Sequence, residues 1–374
     1  MACAKTAHAA TILACGSGQE KACGRTRQGA THVAYTPSAD MRRLGLLVLL
    51  ATVPASGQEA AVALPPPATS TLAPDIPGVV KGGTPVQVVV DGLPHTDGPA
   101  AMPDGTLLYW DVMNRRIGKV DPSGKPGTFL SDTDGASAIG FDSKGRLITT
   151  LKERPPVNAI GAIWPKGREA ILADTFDGKP FEGPNDLVID KRDGVYFTLS
   201  GSGTVLYART PAEVVKVFAH PVERINGITL SPDEKTLYVA TQSRAAKTRL
   251  SVADLAKEGG EYIWAFDVQR DGTLAGQRNF ARYDIVTERP NGTPDLRFGG
   301  DGLAIDAGGR VYAATAAGIQ VFSPQGRHLG TIPVSRNPNN LAFAGPDRKT
   351  LFIVARGAVY KVGMLAAGHK GRAK

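Results

Sequence analysis

Between residues 84 and 364 one pattern recurs six times: a polar residue, a short apolar strand, a turn of Asp, Gly, Pro or Lys, then an aromatic or β-branched strand. The first copy reads Ala100-Ala101-Met102-Pro103-Asp104-Gly105-Thr106-Leu107-Leu108-Tyr109-Trp110. The others pair 138–142 with 146–149, 186–190 with 194–199, 227–230 with 236–241, 302–306 with 310–315, and 341–343 with 350–354. Two further strands usually follow each pair, as at 204–208 and 213–218. A unit of this size cannot bury its own apolar faces, so neighbouring units must stack. Four short antiparallel strands per unit, six units and no long helical period predict an all-β, six-bladed β-propeller over 84–364. A β-sandwich would not produce six matched units. The sixth unit is one strand short, with 341–343, 350–354 and 358–362 followed by a basic tail at 365–374. A spare strand at 86–90 is expected to pair there, closing the ring and removing an exposed edge.

What precedes the repeat reads as something other than fold. Met41-Arg42-Arg43, the apolar run 44–53 and the small residues Ala55-Ser56-Gly57 make a signal peptide at 41–57, with cleavage before Gln58 and export to the periplasm or the medium. That run is the longest apolar stretch and falls short of the roughly 20 residues that span a bilayer. Residues 1–40 read as an upstream extension or leader, with Met41 as the natural start, and 58–83, with Pro65-Pro66-Pro67, as a linker. Cys3, Cys15 and Cys23 all precede Met41, so the mature chain would carry no thiol into an oxidising compartment. The net charge of +8 is misleading. Half of it lies in 1–57 and three more charges in the tail, which leaves the repeat region near +1. With no basic stripe interleaved with aromatics, nucleic-acid binding is set aside.

One polar position recurs with the repeat. Asp97, Ser137, Asn185, Asn226, Asp301 and Asn340 stand just before the inner strand of each unit. Radial symmetry carries all six to one mouth of the central channel. Asp97, Asn185, Asn226 and Asp301 then form an all-oxygen site of charge about −2, suited to a hard cation such as Ca²⁺ or Mg²⁺. The competing reading is that Asp and Asn at these places cap their own turns, with no metal involved. Other chemistry finds little support. No histidine or cysteine falls on the ring, no His-Glu-x-x-His occurs, and neither a Gly-x-Ser-x-Gly turn nor a phosphate-cradling glycine loop is present.

These segments resemble the senescence marker protein (regucalcin), gluconolactonase and luciferin-regenerating enzyme family. Thr96-Asp97-Gly98-Pro99-Ala100 is similar to that family's Glu-Gly-Pro opening, and Phe181-Glu182-Gly183-Pro184-Asn185-Asp186-Leu187 to its Pro-Asn-Asp segment. Asn226-Gly227-Ile228 and Asp301-Gly302-Leu303 match its Asn-Gly-Ile and Asp-Gly segments, and 318–362 resembles its last two blades. The resemblance implies a hydrolase of a sugar lactone. It also implies one divalent ion held by Asp97, Asn185, Asn226 and Asp301: calcium first, with Mg²⁺, Mn²⁺ or Zn²⁺ as alternatives. Asp301 would serve as, or orient, the general base. Asp97 departs from the family's usual Glu by one methylene, Ser137 stands where Asn is frequent, and the substrate-clamping Arg near Pro-Asn-Asp lacks a counterpart. Two other readings therefore stand beside it: a non-catalytic binding propeller, and a phosphotriesterase-like hydrolase on the same scaffold. The loops expected around the mouth are 152–158, 242–261 (with a short helix at 251–256) and 284–300. Glu153 and Arg154 are the candidate substrate contacts.

Overall fold

The computed structural model describes residues 67–133, 135–151, 158–210, 213–219, 224–242, 260–284 and 299–371. Among these there is no helix, and the strands assemble into six blades. The first comprises Thr96–Ala101, Leu107–Asp111, Arg116–Val120 and Pro126–Leu130, in that order outward. The second is Ala136–Phe141, Leu147–Leu151, Ala159–Trp164 and Ala170–Ala173; the third is Pro184–Ile189, Val195–Leu199, Thr204–Thr210 and Glu213–Ala219. The fourth is Arg224–Leu230, Thr236–Gln242, Tyr262–Val268 and Leu274–Arg282; the fifth is Gly300–Ile305, Val311–Thr315, Gly318–Phe322 and His328–Ile332. All neighbouring strands within these blades pair antiparallel.

The sixth blade is composite. Asn340–Ala344, Thr350–Ala355 and Ala358–Gly363 are completed by Pro85–Val90, which pairs with Ala358–Gly363, as the spare strand required. The two-residue strand Thr71–Leu72 then adds a fifth member. The linker assigned to 58–83 therefore needs correcting over its described part. Ile76, Val79 and Val80 are buried against Tyr312, Phe343 and Met364, and a turn is held by the Val79 and Val80 amides donating to the Ile76 carbonyl. Three apolar residues in a Pro- and Gly-rich stretch show no period, so their burial left no pattern to read. The tail assigned to 365–374 also packs over its described part. Its Leu365 amide donates to the Val79 carbonyl, Ala367 accepts from the Ala307 amide, and Gly368 donates to the Arg348 carbonyl.

Burial explains why the ring holds. The second strands of the first, third and fifth blades are buried at every residue, because each blade is covered on both faces. Outer strands such as Pro126–Leu130 and Glu213–Ala219 are largely exposed or half-buried. The apolar core is divided into clusters that each bridge consecutive blades. One joins Ala138 and Ile148 to Leu187 and Phe197, and another joins Ala342 and Phe352 of the last blade to Leu107 and Tyr109 of the first. That last cluster is the apolar half of ring closure.

Candidate functional site

The six ring residues are not ahead of the inner strands but inside them, near their beginnings, and this corrects the placement read from sequence. In five blades the register with the second strand shifts at that point: between Asp97 and Ala100, Ala136 and Ile139, Pro184 and Leu187, Ile225 and Ile228, and Gly300 and Leu303. A bulge bends the strand and re-aims one side chain, which is how a residue inside a ladder comes to face a channel. The sixth blade lacks the shift, and Asn340 pairs regularly with Val354. Its Oδ1 accepts the Leu341 amide at 3.0 Å and the residue is buried, so there the turn-capping reading holds. Ser137 is also buried.

Glycines after the ring positions let the strands meet. Gly98 has φ +47°, and a Cβ there would overlap the Ser137 carbonyl of the next blade. A Cβ on Gly227 would overlap the Asp301 carbonyl, so Asn226 and Asp301 are brought together by backbone contact between the fourth and fifth blades. Hydrogen bonds extend the contact around the ring. Thr150 Oγ1 donates to the Asn185 carbonyl (3.0 Å), Thr198 Oγ1 to the Asn226 carbonyl (2.8 Å), and the Gly302 amide to the Asn339 carbonyl (2.7 Å).

Within this frame Asn185 Nδ2 donates to Asn226 Oδ1. Asp97 Oδ1 accepts its own neighbour's amide, Gly98, at 2.7 Å, so part of that carboxylate caps its turn. Asp301 is different. Its carboxylate accepts no hydrogen bond among the described residues, it is enclosed by protein, and it keeps some solvent contact. Burial pushes its pKa up to about 8, and the negative charges of Asp97 and Asp186 add to the rise, while Arg356 and Arg224 oppose it. Asp97 and Asp186 therefore each lie near enough to Asp301 to repel its charge. Asp186 was not singled out as a site residue, although it is the third residue of the Pro-Asn-Asp segment. It is buried, and its two oxygens accept the amides of Leu187 (3.0 Å) and Ile228 (3.2 Å), which ties the third blade to the fourth. Arg356, in the turn after Thr350–Ala355, was also missed, because an Arg-Gly pair between two strands reads as ordinary surface. Glu153, Arg154 and most of the three expected mouth loops, the short helix included, lie outside the described residues.

Among the described residues no cluster of three or more His, Cys, Asp or Glu side chains is arranged to hold a metal. The candidate set instead pairs carboxylates with amides. Its fit to a hard divalent ion rests on the donor chemistry, all oxygen, and on a carboxylate left without a protein donor amid like charges. Such a site can concentrate positive charge, hold a polarised oxygen and take up a proton at Asp301.

The region from 95 to 357 matches the family described as "SMP-30/Gluconolactonase/LRE-like region". A gluconolactonase from Zymomonas mobilis is 27% identical over 325 residues, covering 77% of this chain and 84% of that protein. A solved gluconolactonase from Xanthomonas campestris superposes with a TM-score of 0.63 at 23% identity, covering 81% of this chain and 98% of that one. A calcium-binding regucalcin from Agrobacterium tumefaciens gives 0.57 at 18% identity, over 76% and 95% of the two chains. At those identities the two solved structures speak for the fold, which is the six-bladed propeller. The family match spans most of the chain and includes all four candidate ligands: this protein belongs to the SMP-30/gluconolactonase/LRE-like family.

Proposed function

We propose that this chain is a metal-dependent lactone hydrolase that opens a sugar lactone to its hydroxy acid. The observation that carries the reading is Asp301: a largely enclosed carboxylate near the start of an inner strand, without a protein hydrogen-bond donor among the described residues, with the charges of two further carboxylates acting on it. In the ion-free chain its raised pKa lets a proton neutralise it, and a divalent ion would take that proton's place. Asp97, Asn185, Asn226 and Asp301 would hold a divalent ion there, with calcium favoured by the oxygen donors and by the calcium-binding regucalcin of the same fold. The lactonase class is supported by family membership and by the gluconolactonase from Zymomonas mobilis.

When bound, such an ion supplies Lewis acidity, polarising an ester carbonyl and making water easier to deprotonate. The chain's own groups do the rest. The Asn185–Asn226 hydrogen bond fixes the two amides relative to each other, so their free positions are presented in one orientation. Asp301 takes the proton of the attacking water as its oxygen bonds to the lactone carbonyl carbon. When the ring C–O bond breaks, that proton passes to the ring oxygen, which becomes the hydroxyl of the product.

The test is a pH-stat assay of the purified mature protein on gluconolactone with and without Ca²⁺, alongside calorimetric Ca²⁺ titration. The reading requires one bound ion per chain and turnover that a chelator abolishes. Full turnover after complete metal removal would overturn it. Export is likewise our inference from residues 41–57, and N-terminal sequencing of protein expressed with its leader should begin at Gln58.

A further inference from the structure

The turn between Thr350–Ala355 and Ala358–Gly363 opens at the same end of the sixth blade as the ring, and its backbone is pinned from four sides. The Arg356 amide donates to Asn339 Oδ1 (3.2 Å), and the Arg356 carbonyl accepts from Arg336 Nη1 (3.2 Å). The Gly357 amide donates to Thr96 Oγ1 (3.3 Å), and the Gly357 carbonyl accepts from the Leu93 amide (3.1 Å). Thr96 immediately precedes Asp97, and Asn339 precedes Asn340, so the Arg356-Gly357 turn is anchored to the neighbours of two ring residues. It is held at φ +39°, in the left-handed region that non-glycine residues seldom occupy. A conformation of this kind persists where the surroundings impose it, and such positions cluster at functional sites.

The side chain is unusual as well. Arg146, Arg310 and Arg336 each grip a carboxylate, at 2.7 Å from Asp142, 3.0 Å from Asp306 and 2.8 Å from Asp91. Arg356 grips none among the described residues. Its Nε, like that of Arg336, is buried with no acceptor among the described residues, while the residue as a whole keeps partial exposure. Its charge nevertheless reaches Asp301. A guanidinium on a fixed backbone turn, with no carboxylate partner among the described residues and its charge acting on Asp301, is suited to take an incoming carboxylate through its Nη groups.

Lactone hydrolysis makes such a group. Ring opening converts a neutral ester into a carboxylic acid that ionises at neutral pH, adding a negative charge at the mouth that the neutral substrate did not carry. We propose that Arg356 is a binding residue for the carboxylate of the ring-opened sugar acid. This inference rests on the lactone-hydrolase reading and adds to it the group that receives the product's charge. Arg224, the other cation whose field reaches Asp301, is exposed at its strand end and is less able to serve.

The test compares wild type, R356Q and R356K, all with Ca²⁺ present. Gluconate is the probe, followed by calorimetry and by its inhibition of gluconolactone turnover. Gluconate affinity is expected to fall about ten- to hundredfold in R356Q, with R356K between, because Lys keeps the charge and loses the fork. Ca²⁺ affinity should hold or tighten in both variants, since a positive charge near the ring is removed or moved. A purely structural Arg356 would instead lower Ca²⁺ affinity and the thermal midpoint together, with no selective effect on gluconate, and that result overturns the proposal. So does a folded R356Q that hydrolyses gluconolactone and binds gluconate as the wild type does, an outcome that leaves the lactonase reading intact. A wild type that neither binds gluconate nor hydrolyses lactones removes both. Should R356Q not fold, R356K decides by the same comparison.

Discussion

The two ends of the inner strands use aspartate in opposite ways. At the end away from the ring, Asp142, Asp190 and Asp306 each close the turn to the second strand and have their oxygens filled by protein. Asp142 accepts the amides of Lys144 and Arg146 and the Arg146 Nε (2.7 Å). Asp190 accepts the amides of Arg192 and Gly194 and the Tyr207 hydroxyl (2.6 Å). Asp306 accepts the Arg310 amide, the Arg310 Nη1 (3.0 Å) and the Tyr312 hydroxyl (3.0 Å). At the ring end Asp186 is still filled by two backbone amides, but among the described residues Asp301 has no such donor, and Asp97 has its neighbour's amide. The same residue type is a structural staple at Asp142, Asp186, Asp190 and Asp306 and an open acceptor at Asp301. What separates Asp301 from the others is that no protein donor reaches its carboxylate among the described residues, so unsatisfied charge, rather than the presence of Asp, marks the candidate site.

That contrast can be broken most forcefully by exchanging which end is damaged. D301N should lower lactone turnover by about a thousandfold, in the range for loss of a general base, while a thermal melt shows the fold retained. Asp306→Ala should do the reverse. Stranding Arg310 and Tyr312 should lower unfolding free energy by about 3 kcal/mol in a denaturant titration, with turnover per folded molecule preserved. If D301N unfolds the protein and D306A only silences it, the two ends have been assigned the wrong way round.

pH sharpens the comparison. Burial first, then Asp97 and Asp186, raise the Asp301 pKa to about 8 in the ion-free protein. The folded chain therefore binds a proton that the unfolded chain releases near pH 4. This contribution to stability is complete below the unfolded pKa and is lost as pH rises through about 8. With chelator present, the thermal midpoint of wild type should fall between pH 5 and pH 8 more steeply than that of D301N, and Ca²⁺ should restore most at the alkaline end. Equal slopes would mean that Asp301 carries no such strain. The smallest effect is expected at Asp97, whose carboxylate is one methylene shorter than the family's usual Glu and half engaged with Gly98. D97E should tighten Ca²⁺ binding by no more than about tenfold, about 1.4 kcal/mol, as read by calorimetry.

Much of the architecture could be read from the chain because a blade is a local object. The alternation of Leu107–Asp111 and Arg116–Val120, or of Val311–Thr315 and Gly318–Phe322, lies within a few residues of the turn that joins each pair. The missing fourth strand of the last blade pointed to Pro85–Val90 because an open edge needs a partner. The burial of Ile76, Val79 and Val80 was not legible, because three apolar residues in a turn have no period. The ring residues were found by their recurrence, yet their seating within bulges was not, since a register shift belongs to two strands at once. Asp186 and Arg356 escaped notice because their significance comes from neighbours far away in sequence.

By itself, then, the sequence determined the six units, the strand that closes them and the four oxygen-bearing residues Asp97, Asn185, Asn226 and Asp301 brought to one end, because strand period and turn chemistry act over a few residues. Only the tertiary structure decided which carboxylates were satisfied and which were left open. It set Asn185 against Asn226, raised the Asp301 pKa by burial and then by carboxylates on two other blades, and pinned the Arg356-Gly357 turn through Thr96, Leu93, Arg336 and Asn339. Electrostatic and hydrogen-bond satisfaction depend on distance in space, and in a closed ring the first blade and the last are neighbours.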